Sequence, residues 1–301
     1  VHEAIRRDDP DGHLFAGAIR RTYDMLLDGV NTGRYRWEQL RKTEKTHCGT
    51  MVEINLQRAF KFPDGDDQDY KIAGIDVDCK FSQDYGKWMI PPEAIGHVLL
   101  VVWANDEKGL FRAGLVHVQQ DLVRAGKGNR DGKQTLTAEG LSQVVPLFTD
   151  VALPDNVLLR LSAVDESAIF GQKSGQSRIN ELFLRVQQRL INRVAVGTVA
   201  MQADYMKRVR YSGGARSHLA PQGIIILGQY DSHQDIARQL DIAVPGRGDF
   251  VSVRVTPARQ GRRSAIIGDG EWSVAQAGDP IVMAPQLPRP SRRSASEDDD
   301  L

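Results

Sequence analysis

Apolar residues along this chain recur at helical spacing in some stretches and alternate or run together in others, so the pattern predicts a mixed α/β protein. Residues 11–43 read as helical, with Leu14, Ile19, Tyr23, Leu26 and Leu27 forming an approximate apolar stripe before the turn DGVNTG. A second helix is expected to begin near Gly49, because Val52, Leu56, Ala59 and Phe60 recur at helical spacing while Glu53 and Asn55 lie off that stripe. Residues 70–81 alternate instead, as two short strands joined at Ala73 and Gly74 would. After the loop GKWMIPPEAIG, the runs HVLLVVWAN and LFRAGLVHV read as buried strands of a sheet covered by helices. Residues 125–133 read as a loop, and TAEGLSQVVPLF as a helix capped by Thr137.

The second half begins with mixed signals at 151–170, read as a linker. An amphipathic helix is expected over 178–193, since Ile179, Leu182, Phe183, Val186 and Leu190 fall on one face and arginines occupy much of the other. A helix, a short break, a second helix and the strand-like GIIILGQY follow, which is the order of a helix-turn-helix with a strand behind it. The expected division is therefore an α/β domain at 1–150, the linker, a helix-turn-helix domain at 171–285, and a Pro/Ser-rich then acidic tail at 286–301 that reads as disordered. No internal repeat is visible.

The chain's 301 residues agree with two domains of roughly 150 residues each. Lys+Arg and Asp+Glu both total 39, so net charge is +0 and only local patches can argue for a polyanionic partner. Cys48 and Cys79 offer neither a disulfide framework nor zinc-site spacing, which fits a reducing cytoplasm. The longest apolar run, near His97 to Ala104, falls short of the roughly 20 residues of a membrane span, and no signal peptide opens the chain. A soluble cytoplasmic protein without a membrane partner is expected. Residue 1 is Val, so native residues are expected before it.

The chemistry concentrates in DQDYKIAGIDVDCKF. Strand alternation puts Asp76, Asp78 and Lys80 on one face and Ile75, Val77, Cys79 and Phe81 on the other. Asp69 can approach the same point across the hairpin, and Glu53 can add a third carboxylate from the preceding helix. Converging carboxylates repel unless a divalent cation sits between them, and hard oxygen ligands favour Mg2+. A lysine beside such a site can stabilise an attacking water or a phosphorane-like charge. A solvated strand face that merely alternates acid and lysine is the plainer alternative, and alternation alone leaves Asp76 in play. Asp64, Asp66 and Asp67 read as a solvated loop, and His47 as a local hydrogen-bonding residue. An acid followed by Asp-x-Lys on a strand, with an acidic helix upstream, resembles the PD-(D/E)XK nuclease signature, here Asp69 with Asp78-Cys79-Lys80.

Longer blocks make the likeness more specific. KTEKTHCGTMVEINL, DYKIAGIDVDCKFS, WMIPPEAIGHVLLVVWA, RINELFLRVQQRLI, DYMKRVRYSGGARS and PQGIIILG resemble, in order, the NaeI type of restriction endonuclease. The resemblance implies an N-terminal PD-(D/E)XK endonuclease core, a mixed sheet flanked by helices, and a C-terminal winged-helix or catabolite-activator-like helix-turn-helix domain. It implies Glu53, Asp69 and Asp78 as metal-site carboxylates, Lys80 as the catalytic lysine, and the backbone carbonyl of Cys79 as a further metal ligand. It also implies a homodimeric type IIE enzyme of a restriction-modification system, cutting GCCGGC to blunt ends with Mg2+ and holding a second, effector copy of double-stranded DNA.

Between 172 and 221 nine Lys or Arg face two acids, a local excess of 9 minus 2, or +7, which suits phosphate contacts. The expected DNA-binding residues there are Lys207, Arg208, Arg210, Ser212, Gly213, Gly214 and Arg216, with the helix near Tyr205 to Arg210 in a major groove. Lys87 and Trp88 are expected to read a groove beside the catalytic strand, with a core or dimer-packing role for Trp88 as the alternative. LLDG, Leu26 to Gly29, is similar to the Lys-x-Asp-Gly motif of DNA ligases, but leucine cannot form an adenylyl-lysine. Two other readings stay open from sequence: a metal-dependent repair or junction nuclease on the same core, and a non-cleaving DNA-binding regulator.

Overall fold

The computed structural model describes residues 1–124 and 131–288. Most of the loop expected at 125–133 and the tail from 289 lie outside the described residues. Two compact units form: the first takes Val1–Leu27 and Arg36–Asp155, the second takes Asp28–Tyr35 and the chain from Asn156 onward.

In the first unit, α1 (His2–Asp8) leads to α2 (His13–Leu27). Gly12, at φ +81°, makes the turn between them, and a side chain there would press on the Phe148 ring. Phe15, Ile19, Tyr23 and Leu27 of α2 are buried, whereas Leu14 is exposed. The chain then gives α3 (Gly29–Thr32) to the second unit and returns as α4 (Lys42–Phe60). This helix starts earlier than the expected Gly49 because the Glu44 carboxylate accepts the Arg41 backbone N–H at 2.7 Å, supplying an N-terminal cap. Asn55, off the expected stripe, is only 2% exposed and donates to Thr22 Oγ1 at 3.0 Å, joining α4 to α2.

The sheet runs β1 (Tyr70–Ile72), β2 (Ile75–Ser82), β3 (Val98–Asn105), β4 (Leu110–His117) and β5 (Val145–Ala152), adjacent in that order. Only β2 and β3 pair in parallel. The hairpin β1–β2 turns through Ala73 and Gly74, both at positive φ, as a tight two-residue connection requires. Alternation divides β3: Leu100, Val102 and Ala104 join the core under the helices, while Leu99, Val101 and Trp103 join Trp88, Ile90 and Val116 on the other face. The helix expected over 137–148 shrinks to α5 (Ala138–Ser142), with Thr137 Oγ1 accepting from the Gly140 amide at 3.0 Å. Pro146 instead lies on edge strand β5, where its missing N–H costs the sheet nothing.

The second unit holds α6 (Ala163–Phe170), α7 (Gly175–Arg185), β6 (Ile191–Asn192), α8 (Arg193–Ala200), α9 (Ala215–Leu219), β7 (Ile224–Leu227), α10 (Asp231–Gln239), β8 (Asp249–Pro257), β9 (Ser264–Ile267) and β10 (Gly270–Val274). Strand β8 pairs with β6, β7 and β10. Residues 151–170, read from sequence as a linker, carry the end of β5, a 3-10 turn and α6, and bury Val157, Leu158 and Ile169 in the second core. The expected helix at 178–193 starts earlier and stops at Arg185, because Gln188 takes φ 59° and turns the chain, leaving Leu190 exposed. Tyr35 belongs to this core, stacked on Phe170 at 5.3 Å. Gly29 of α3 meets α8 so closely that a Cβ would fall 2.0 Å from Thr198 Oγ1. In the ligase-like LLDG stretch, the chain thus passes from one unit to the other between Leu27 and Asp28, and Leu26 packs against the first core.

A buried ion pair ties α2 to the β3–β4 turn. Arg20 bonds Asp106 through both terminal nitrogens, reaches Asp24 through Nε at 3.0 Å, and lies over the Tyr23 ring. Removing Asp106 takes the partner from both terminal nitrogens of a buried guanidinium and leaves it only the Asp24 contact at Nε. Asp106→Ala is therefore expected to destabilise the protein by about 3–5 kcal/mol in urea unfolding, and a loss below about 1 kcal/mol, the range of exposed pairs, would show that the pair is dispensable.

Candidate active site

Strand β1 ends its pairing at Tyr70 opposite Val77, so beyond that point the outer edge of β2 has no strand to receive its amides. The side chain of Asp69 takes that place: its Oδ2 accepts the Cys79 N–H at 2.7 Å. Asp78 and Lys80 share the face opposite the Cys79 side chain, and their charged ends meet in an ion pair. The Lys80 ammonium also donates to the Cys79 carbonyl at 3.1 Å. The Cys79 thiol points into the core beneath the helices, and burial pushes its pKa well up, which removes it as a nucleophile.

Asp78 is only 5% exposed. Burial raises its pKa to about 6, with Lys80 opposing the rise and Asp69 adding to it. Glu53, on α4, rises to about 7 for the same first reason, then through Asp69; Lys80 opposes and Asp78 adds. The structure therefore brings Glu53, Asp69, Asp78 and Lys80 within electrostatic reach of one another. Asp78 Oδ2 is buried with no hydrogen-bond partner. An orphaned carboxylate oxygen among desolvated acids is a hard donor set, which suits Mg2+. The side chains stop short of a closed cage: among the described residues no three His, Cys, Asp or Glu side chains gather as a metal site. The Cys79 carbonyl, an expected ligand, accepts from the Lys80 ammonium at 3.1 Å.

The other acids of the hairpin separate from this group. Asp76 accepts the backbone amides of Asp66, at 3.1 Å, and Asp67, at 2.8 Å, and those amides hold its pKa down. It anchors a loop. Asp66 pairs with Lys71, Asp64 accepts from Gln57 Nε2 at 2.6 Å, and Asp64, Asp66 and Asp67 are exposed or bordering solvent, as expected. Ile75 was expected in the core but is 46% exposed, because it sits at the hairpin tip beyond the helices' cover. His47 is exposed. Lys87 is exposed as a groove reader must be, but Trp88 is not: it is 1% exposed, and its indole N–H donates to the Val102 carbonyl at 2.8 Å. Trp88 is a core residue. Tyr70 was not singled out in sequence, and its hydroxyl reaches α4, a contact only the folded chain discloses.

The basic residues of the second unit divide similarly. Arg178 spends its guanidinium on the carbonyls of Val199 and Ala200, at 2.6 and 2.7 Å, closing the end of α8. Arg185 pairs with Glu181 and Asp165. Arg216, expected on a phosphate, donates Nε to the Ile226 carbonyl at 2.9 Å, and burial lowers its pKa. Lys207 and Arg210 are exposed, and Arg208 meets Asp204 only at 3.5 Å while its Nε is buried without a partner. Ser212 and Gly213 are exposed on the turn before α9; Gly214 is buried there, and a Cβ on it would fall 2.4 Å from the Arg210 carbonyl. No helix among the described residues is long and apolar enough to cross a membrane.

Comparison with known proteins agrees across nearly the whole length. The family model described as restriction endonuclease NaeI matches residues 1–283. The chain is also 52% identical over 292 residues to the type II restriction enzyme NaeI of Lentzea aerocolonigenes, an alignment covering 94% of this chain and 92% of that protein.

The raised pKa of Glu53 predicts a pH dependence. A carboxyl whose folded pKa exceeds its unfolded value, 4.5 rising to about 7, contributes stability that is complete below 4.5 and lost as pH climbs through 7. Without divalent cations, the unfolding free energy in urea is expected to decline across that window, and Glu53→Gln is expected to flatten the decline; an equal slope in the variant would assign it to other groups.

Proposed function

The chain belongs to the restriction endonuclease NaeI family, and from that premise we propose that it is a homodimeric, Mg2+-dependent type II enzyme that hydrolyses both strands of double-stranded DNA at one palindrome. The observation that carries the reading is the buried Asp78 carboxylate, with its orphaned Oδ2 on one side and the Lys80 ammonium on the other. Glu53, Asp69 and Asp78 are the residues that would hold Mg2+, which supplies Lewis-acid polarisation of the scissile phosphate. Lys80 stabilises the negative charge that develops on the phosphoryl oxygens as a water oxygen bonds to phosphorus and the P–O bond to the leaving sugar oxygen breaks. Lys80 would act from beside Asp78, its ion-pair partner on the same strand face. Asp69, fixed by the Cys79 amide, keeps its carboxylate from drifting into solvent. A homodimer suits a palindrome because one two-fold axis relates both sites to both strands.

The second unit is proposed to hold an effector copy of the same DNA, the type IIE arrangement, with GCCGGC as the site in both copies and blunt ends as the product. Its connectivity supports a winged-helix reading: α7, β6, α8, α9, β7 and then β8, which returns after an insertion carrying α10 to pair with both β6 and β7. The segment expected to enter a major groove, near Tyr205 to Arg210, is a short 3-10 helix at Tyr205–Val209 just before α9, and Lys207, Arg208 and Arg210 are proposed to meet DNA there with Ser212, Gly213 and Gly214. Exposed Lys87 is proposed to contact DNA beside the first site.

Supercoiled plasmid incubated with Mg2+ or with EDTA, followed by sequencing of every end, tests the reading. Metal-dependent blunt ends at one palindrome are expected; breaks confined to mismatches or branches would replace it with a repair nuclease. Lys80→Ala and Asp78→Ala are expected to abolish cutting while DNA binding persists, and full cutting by either would remove that residue from the site. Arg208→Ala or Arg210→Ala is expected to weaken effector binding and reduce the slope of log affinity against log salt by about one unit per lost phosphate contact, whereas an unchanged salt series would take that arginine off the DNA.

A further inference from the structure

Tyr70 stands at the first position of β1, immediately after Asp69, and is fully buried. Its backbone is fixed from two sides, by the ladder to Val77 and by an isolated bridge to Asp64. Its ring is held by Phe62 at 5.4 Å, which in turn stacks on Phe60 at 4.8 Å. Packing alone would be served by phenylalanine. The hydroxyl adds specific bonds: it donates to the backbone carbonyl of Glu53 at 2.8 Å, and it also meets the Cys79 thiol of the neighbouring strand. That carbonyl lies inside α4, whose own ladder uses one of its lone pairs, so the tyrosine fills the second.

One residue thereby connects to the backbone of all three acids of the site, to Glu53 by its hydroxyl and to Asp69 and the strand of Asp78 by its own main chain. Tyr70 directly follows Asp69 in sequence, pairs with the residue that precedes Asp78, and fixes the height of the helical turn that carries Glu53. We propose that Tyr70 is a positioning residue for DNA cleavage, whose hydroxyl holds the Glu53 carboxylate in register with Asp69 and Asp78. The proposal rests on the reading of those acids and Lys80 as the cleavage site. Carboxylates that hold a cation depend on such supporting bonds, and losing one typically costs about 10–100-fold in metal affinity or activity. A small misplacement is enough, because the reacting groups must be held near contact distance.

The test compares wild type, Tyr70→Phe, Glu53→Gln and the double variant by calorimetric titration of Mg2+ into the DNA-free protein and by single-turnover cleavage of plasmid. Tyr70→Phe is expected to weaken Mg2+ binding about tenfold and to slow cleavage at saturating Mg2+, with its unfolding temperature within a few degrees of wild type. In the Glu53→Gln background the same change is expected to alter neither quantity, since a group that acts through Glu53 has nothing left to position. Unchanged Mg2+ affinity in Tyr70→Phe, or losses that add in full in the double variant, would overturn the positioning role and leave the hydroxyl a packing group. If Glu53→Gln itself binds Mg2+ like wild type, the assignment of Glu53 to the site fails first, and the two failures are told apart.

Discussion

A carboxylate on an inner strand of a sheet is costly to bury, and Asp78 shows how the first unit manages that cost. Its neighbours in β2, Val77 and Cys79, are committed to the core under the helices, so the strand cannot move outward to hydrate the acid. Lys80, two residues on and therefore on the same face, neutralises one oxygen; the other has no donor at all. The arrangement is electrostatically incomplete as it stands, and the incompleteness faces Asp69 and Glu53, whose presence makes it worse. Such a cluster is held by the surrounding fold against its own repulsion, the condition in which an arriving cation gains most.

The surrounding fold is correspondingly firm. Parallel pairing of β2 with β3 demands a long crossover, and that crossover is pinned by Trp88 and Ile90 in the core on the far face of the sheet. On the near face α2 and α4 are bound by the Asn55–Thr22 hydrogen bond, and α2 is bound to the β3–β4 turn by Arg20 and Asp106. The site therefore draws on rigid elements: two carboxylates and the lysine from a hairpin, the third from a helix.

The second unit uses its charges differently from what its composition suggests. Three of the nine basic residues in 172–221, Arg178, Arg185 and Arg216, serve structure: two terminate backbone carbonyl chains and one joins an acidic pair. Of the other six, Lys207, Arg208 and Arg210 lie in the segment that leads to the turn before α9. The unit also borrows Asp28–Tyr35 from early in the chain, so that Tyr35 and α3 complete a core that the rest of its sequence leaves unfinished.

Much of this was legible in sequence because it is local. Period-two alternation placed Asp78 and Lys80 on one face and Cys79 on the other, the Ala73-Gly74 turn marked the hairpin, and Thr137 marked a helix start. The mixed sheet and the family blocks were legible for the same reason, since each is written in consecutive residues. What remained hidden depended on partners distant in sequence: Asp76 turning away to hold loop amides, Lys80 taking the Cys79 carbonyl, Trp88 going inside, residues 156–170 folding into a core rather than linking two. Alternation tells which residues share a face, but which polar group ends beside which is decided by the backbone amides and carbonyls that folding leaves unpaired and by how much water is excluded around them. The sequence by itself determined the donor types and their strand; only the tertiary structure decided that Asp69 would replace a missing strand partner, that Asp78 would keep one oxygen bare, and that Tyr70 would tie the helix of Glu53 to both.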